Sequence, residues 1–279
     1  MTEWHWDETL YAGAAPYYQA GRVPYPAAIA DVLRAELGFD GTGRLLDVGC
    51  GPGSLTILLA PLFASATGID GSAEMIAEAR TRSAAVDWRT MRAEDISPAL
   101  GRFRAATFAQ SFHWLDRPRV AGRVRDVLEP AGVCVLVYAT THAGIPGEHQ
   151  LPMPRPPRPE IDELIGAYLG TTRRAGRGVR PERERPGDDT MLADDVVLAR
   201  SGFAGPARFI IGPGQVVGRD EDAIVASVFS LSYAAPSLFG ARKREFEREL
   251  RALLRRASPG GRFCEELRET RLDVWRPAP

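Results

Sequence analysis

Residues 45–54 read Leu-Leu-Asp-Val-Gly-Cys-Gly-Pro-Gly-Ser, and this stretch limits the possible folds more than any other. A short apolar run closes on Asp47 and Val48, glycines follow at positions 49, 51 and 53, and a helical pattern begins at Leu55. That order predicts a buried strand, a tight turn and a helix N-terminus. Glycine is required where the backbone takes a positive φ or must lie close to a ligand. The new helix end offers unpaired N–H groups and a partial positive charge to an anionic or polar group.

The surrounding chain repeats the strand-then-helix order. Strands are expected at Ala66–Ile69, Val86–Arg89, Ala105–Ala109 and Val133–Val137, with Glu129–Gly132 as a turn before the last. Between them lie helices over Leu55–Leu62, after a Gly71-Ser72 cap, and after Asp116, where Val120, Val124, Val127 and Leu128 form an apolar stripe. Ahead of them, Ile29, Val32, Leu33 and Leu37 recur at helical spacing behind an aromatic, irregular start that holds Trp4, Trp6, Tyr11, Tyr17, Tyr18 and Tyr25. Alternation of this kind predicts an α/β fold with a parallel sheet covered on both faces.

Beyond Tyr138 the alternation breaks. A proline-rich extended segment (152–159), a helix over Ile161–Leu169 and a loop with six arginines between 173 and 185 follow. Then come helices over Met191–Arg200, Asp220–Tyr233 and Arg242–Arg256, with strands at Phe209–Ile211 and Glu269–Trp275. The expected division is an N-terminal lid and first helix over 1–40, a core over 41–141, 189–213 and 266–279, and helical cap insertions over 142–188 and 214–265.

Composition narrows the function. A formal charge of −1 gives no global pull toward nucleic acid or an anionic membrane. No Asn/Asp-Pro-Pro-Tyr/Phe-like motif follows the fourth strand, which argues against nucleic acid as the substrate. Scattered Cys50, Cys134 and Cys264, the polar start and the lack of a long apolar run lead to the expectation of a cytoplasmic protein with no membrane partner, as monomer or homodimer. No metal site is expected, because the histidines and cysteines show no ligand spacing.

The glycine spacing is G-x-G-x-G and not the G-x-G-x-x-G of a dinucleotide fold. Asp47 would oppose a pyrophosphate and suits a cationic ligand. Asp70, closing the second strand, can accept both hydroxyls of a ribose, and Glu94-Asp95 after the third offers a carboxylate to an exocyclic amine.

With these residues in place, the chain resembles the class I S-adenosylmethionine-dependent methyltransferases. Leu45–Gly53, Gly68-Ile69-Asp70 and Ala93-Glu94-Asp95 are similar to that family's first three motifs. Phe112-His113-Trp114 and Gly21-Arg22-Val23-Pro24-Tyr25-Pro26 look like features of a subgroup acting on small acids and natural products. The resemblance implies a Rossmann-like, seven-stranded, mostly parallel sheet and S-adenosyl-L-methionine as cofactor, released as S-adenosyl-L-homocysteine. It implies Gly49, Cys50, Gly51 and Gly53 beneath the methionine part, with Asp47 near the ammonium group. Asp70 and Gly71 would hold the ribose, with Met75 as a cover, Glu94 and Asp95 at the adenine, and Gln110 at the ammonium group. Tyr18, Arg22, Tyr25, Phe112 and Trp114 are the candidate substrate residues. His113, followed by His142, is the candidate base if the acceptor must lose a proton. The implied activity is methyl transfer to an oxygen, nitrogen or carbon atom of a small molecule. Two alternatives are a cyclase or rearrangement enzyme on the same fold and a non-catalytic, cofactor-binding regulator.

Overall fold

A computed structural model describes residues 9, 11–147, 150–170, 173–175, 178–180, 188–212 and 215–279, with the backbone alone for 173–175, 178–180 and 188–193. Trp4, His5, Trp6, His149 and most of the arginine-rich loop lie outside the described residues.

The sheet carries the expected topology. Strands β1 (Arg44–Val48), β2 (Ser65–Asp70), β3 (Asp87–Thr90), β4 (Phe103–Ala109) and β5 (Leu128–Tyr138) are parallel, and β8 (Phe203–Ile211) and β11 (Thr270–Pro277) complete it. The order is β3-β2-β1-β4-β5-β11-β8, with β11 antiparallel to both its neighbours. The order reverses between β1 and β4, the switch point at which open α/β sheets bind ligands beyond the strands' C-terminal ends.

Period-two alternation assigns each strand residue to one of two cores. Leu45, Val133, Val135, Val137, Leu272 and Val274 face the helices α2 (Ala28–Leu37), α3 (Ser54–Leu59) and α4 (Ala73–Arg82). Leu46, Val48, Cys134, Leu136 and Trp275 face α5 (Arg117–Val127) and α7 (Asp188–Arg200). Burial on both faces is why these strands read as continuous apolar runs. Side-chain caps start two helices as predicted: Met75 N–H donates to Ser72 Oγ (3.3 Å), and Arg119 N–H points at Asp116 Oδ1 (3.5 Å).

Three local expectations change. The irregular aromatic start contains a helix, α1 (Ala15–Gly21), with Pro16 in its first turn. The 129–132 turn is an irregularity inside β5, where the pairing jumps from Phe103–Leu128 to Ala105–Val133. The helix expected to reach Tyr233 stops at Phe229 as α8 (Glu221–Phe229), preceded by β9 (Val216–Asp220), which pairs with β10 (Arg262–Glu266) in an antiparallel ribbon that periodicity missed.

A separate apolar cluster joins α6 (Arg158–Leu169), α8, α9 (Pro236–Phe239) and α10 (Lys243–Ala257). Phe239 and Phe246 stack there at 4.1 Å between ring centroids, and Phe229 meets both edge-on. A two-stranded piece, β6 (Arg173–Ala175) with β7 (Gly178–Arg180), lies between α6 and α7 in the chain.

Candidate active site

A cavity of about 450 Å³ lies at the switch point, a volume suited to a small-molecule site. Its wall takes residues from the ends of β1 to β5, from α3 and α4, and from the segment between Tyr11 and Tyr25.

The glycines of the first turn differ in what makes them glycine. All three have positive φ, +66° at Gly49, +54° at Gly51 and +78° at Gly53. A Cβ on Gly49 would sit 2.6 Å from Ser111 Cβ, and one on Gly53 would sit 2.2 Å from the Trp88 ring. One on Gly51 meets no atom within 4 Å, because that position opens on the cavity. Gly49 and Gly51 line the wall and Gly53 does not. Gly53 thus makes room for the protein's own indole, while Gly51 leaves the main chain bare to a ligand.

Asp70 closes β2 inside this wall. Its Oδ2 accepts Gly51 N–H (2.9 Å) and its Oδ1 accepts Ser72 N–H (2.8 Å), which aims the carboxylate and joins the two motifs. Burial raises its pKa against the pull of these donors. Gly71, Met75, Glu94 and Cys50 line the same space, and the Cys50 thiol is pushed up by burial. Glu94, 2% exposed, accepts Asp116 N–H (3.0 Å). Gln110 also lines it, at φ +55° the one positive-φ non-glycine among the described residues. Such a conformation is costly and concentrates at functional positions. It is held by main-chain and side-chain N–H donation to Val137 O (3.2 and 3.4 Å).

Several expected site residues stand elsewhere. Asp47 is fully buried behind the turn, with its oxygens occupied by Thr56 Oγ1 (2.5 Å) and Thr107 Oγ1 (2.7 Å). Burial pushes its carboxyl up to about 6. It therefore braces the turn from below instead of touching a ligand. Asp95 is exposed and outside the wall, so Glu94 is the acidic residue that faces the cavity there. Phe112 is core, edge-on to Phe108 at 5.0 Å. His113 lies outside the wall, its ring 4.9 Å from that of Trp114, which does line it. His142 is also outside, its Nδ1 3.4 Å from Arg22 Nη1, and burial together with Arg22, Arg158 and Arg219 pulls its pKa down to about 3.

The expected lid residues Tyr18, Arg22 and Tyr25 all line the cavity, with Tyr11. Tyr11 meets Tyr18 and Trp114 edge-on at 6.1 and 5.9 Å, and the Arg22 guanidinium sits 4.7 Å over the Tyr18 ring. This strap is fastened at several points. Gly13 N–H donates to Glu74 Oε2 (2.8 Å), Val23 N–H to Thr141 O (2.7 Å), and Arg22 to Ser230 Oγ and O (2.8 and 2.7 Å). Gly21 lies so close to α8 that a Cβ there would be 2.4 Å from the Ala226 carbonyl. Among the described residues, none from 142 onward lines the cavity, so the α8–α10 layer acts by holding the strap. Sequence reasoning missed Ser111, Arg82 and Thr141 in the wall. Ser111 is placed by its bond to Val48 O (2.5 Å), a contact across 63 residues with no local signal.

Comparison with known proteins agrees with this architecture. Residues 45–132 match the family model described as a methyltransferase domain. The chain is 32% identical over 134 residues to malonyl-(acyl-carrier protein) O-methyltransferase of Enterobacter lignolyticus, covering 48% of this chain and 52% of that one. It is 33% identical over 105 residues to trans-aconitate 2-methyltransferase of Rhodopseudomonas palustris, covering 36% and 40%. The chain thus spans about half the length, or less, of these curated relatives. In fold it is similar to the 4+2 cyclase SpnF, with a TM-score of 0.51 at 16% identity over 97% of this chain and 95% of that one. Among the described residues, no helix is long and apolar enough to cross a membrane, and no three His, Cys, Asp or Glu side chains are grouped to hold a metal.

Proposed function

We propose that the protein moves the methyl group of S-adenosylmethionine to an oxygen, nitrogen or carbon atom of a small organic acid or natural-product intermediate. The observation that carries this is the pairing of the Asp70 carboxylate with the bare main chain of Gly51 in one cavity. The residues present fit the cofactor. Asp70 suits the ribose hydroxyls, Glu94 the adenine end, and Gly49, Gly51 and Gln110 the amino-acid end. When bound, S-adenosylmethionine supplies a methyl group on a sulfonium centre, open to in-line displacement.

The chain's part is to orient and to exclude water. Positioning alone is worth up to roughly 7–11 kcal/mol of a barrier. Aromatic faces such as Tyr18, Tyr25 and Trp114 each add about 0.5–2 kcal/mol of attraction for a cation that lies against them. Burial raises the phenols of Tyr11 and Tyr25, so both stay protonated near neutrality. With neither histidine in the wall, the arrangement favours an acceptor that arrives already nucleophilic, such as a carboxylate.

A thermal-shift titration with S-adenosylmethionine and S-adenosylhomocysteine tests the cofactor assignment. Both are expected to raise the melting temperature in a concentration-dependent way. Asp70→Ala is expected to abolish the shift. A wild-type protein that neither ligand moves overturns the proposal, and a full shift in Asp70→Ala overturns the ribose role.

A further inference from the structure

Behind the strap lies a cluster that the cofactor site does not use. Arg158 chelates Glu265 through Nε (3.0 Å) and Nη2 (2.8 Å), and Arg219 Nη1 reaches Glu265 Oε2 at 3.2 Å. Both arginines also donate to the His142 carbonyl at 3.0 Å, and Arg219 donates to Gly21 O at 2.6 Å. Arg22 stands at the front of this group, the one arginine of the three that lines the cavity. The two rear arginines share one carboxylate, while Arg22 has none among the described residues and is bound to Ser230 and the His142 ring instead. His142 adds no compensating charge.

The cavity wall therefore presents a guanidinium that binds no carboxylate among the described residues and has two further arginines behind it, while the wall's own carboxylates, Asp70 and Glu94, accept from Gly51, Ser72 and Asp116 main-chain N–H groups instead. Like charges brought together in a desolvated space repel unless an anion joins them. Two N–H bonds of Arg22 remain beyond those its three nitrogens direct at Ser230 and His142. Around it the wall is mostly ring and hydrocarbon: Tyr11, Tyr18, Tyr25, Val23 and Trp114.

The geometry points to an anionic substrate, a small carboxylic acid with an apolar or aromatic body, whose carboxylate is recognised by Arg22. This rests on the proposed function above and adds the group that recognises the acid, together with the preference for an anion over its neutral amide. Arg158, Arg219 and Ser230 are positioning residues: they hold the strap and Arg22 and touch no ligand.

The test uses the full chain saturated with S-adenosylhomocysteine, titrated calorimetrically with benzoate, phenylacetate, hexanoate and octanoate, each beside its primary amide. At least one acid is expected to bind about tenfold or more tightly than its amide, the scale of a charge-assisted hydrogen bond. Arg22→Gln is expected to erase that preference while keeping the S-adenosylhomocysteine thermal shift, and Arg22→Lys to recover part of it. Equal affinity of acids and amides, no binding of any acid, or an undiminished preference in Arg22→Gln each overturns the assignment. If Arg22→Gln does not fold, the wild-type comparison of acid with amide decides alone. A wild type with no S-adenosylhomocysteine shift overturns the cofactor proposal instead, so the two failures are told apart.

Discussion

The two sides of the cavity are held by different means. On the sheet side the wall is main chain: a glycine turn, a strand end and a positive-φ Gln110, set by parallel pairing and braced by buried hydroxyls on Asp47. On the strap side the wall is side chain: three tyrosines and Arg22, held by guanidinium bonds from Arg22 to Ser230 just after α8 and from Arg219 of β9 to the Gly21 carbonyl. The first side is set by backbone geometry that side-chain changes leave largely in place. The second side is built from side chains that single substitutions can change, and the proposal above assigns substrate recognition to it.

If the strap side depends on its ion cluster, breaking that cluster has the largest effect. Glu265→Ala leaves Arg158 and Arg219 without their shared carboxylate, and such a loss costs about 3–5 kcal/mol. Denaturant unfolding is expected to show that loss. A change below about 1 kcal/mol, the worth of an exposed ion pair, would mean water already screens the cluster.

On the sheet side, the glycines are expected to separate. Gly53→Ala drives a Cβ into the Trp88 ring at positive φ, and overpacking of that kind costs about 1–3 kcal/mol before backbone strain is added. Gly51→Ala meets nothing and carries only the left-handed strain, about 1–2 kcal/mol. Its Cβ enters the ligand space, so it is expected to lose S-adenosylhomocysteine affinity out of proportion to its stability. Melting temperatures with and without that ligand distinguish the two. Equal behaviour of the two variants would erase the division between packing glycine and ligand glycine.

The same contrast explains what was legible in the sequence. The β1 turn, Asp70, the Ser72 and Asp116 caps and the α5 stripe are local patterns, each readable within about ten residues. Asp47 misled because the motif sits beside the ligand in sequence, while strand alternation turns its side chain toward Thr107 on the next strand. Of the two acidic residues expected side by side, only Glu94 lines the cavity, for a similar reason: a short 3₁₀ turn over 93–95 decides which carboxylate faces inward. The Arg22 cluster joins residues 22, 142, 158, 219 and 265, and no window along the chain contains it. Arg22 itself was legible as a substrate candidate; what stands behind it was not.

His142 makes the strap side sensitive to pH. Its folded pKa, about 3, lies below the ordinary value of 6.5, so between them the unfolded chain binds a proton that the native state does not. Stability from this group is therefore present above about pH 6.5 and falls as the pH drops toward 3. Asp47 has the opposite sign: its pKa is raised from 3.8 to about 6, so its contribution declines as the pH rises through that range. His142→Gln is expected to flatten the acid-side loss by at most about 1.4 kcal/mol per pH unit, while leaving the Asp47 component in place. Urea melts from pH 4 to 7 measure it, and an unchanged slope would remove His142 from the account.

The smallest expected effect belongs to His113, the residue that sequence alone marks as the first candidate base. Its ring lies against Trp114 outside the cavity wall, so a proton taken from a substrate inside has no direct route to it. Once an acceptor acid is in hand, His113→Gln is expected to keep kcat within about threefold, less than the 10²–10⁴-fold typical of a lost general base. KM is expected to shift modestly with the tilt of Trp114, which does line the cavity. A hundredfold fall in kcat at unchanged KM would instead bring His113 to the reacting atoms, and would mean that the aromatic edge of the cavity rearranges when both ligands are bound.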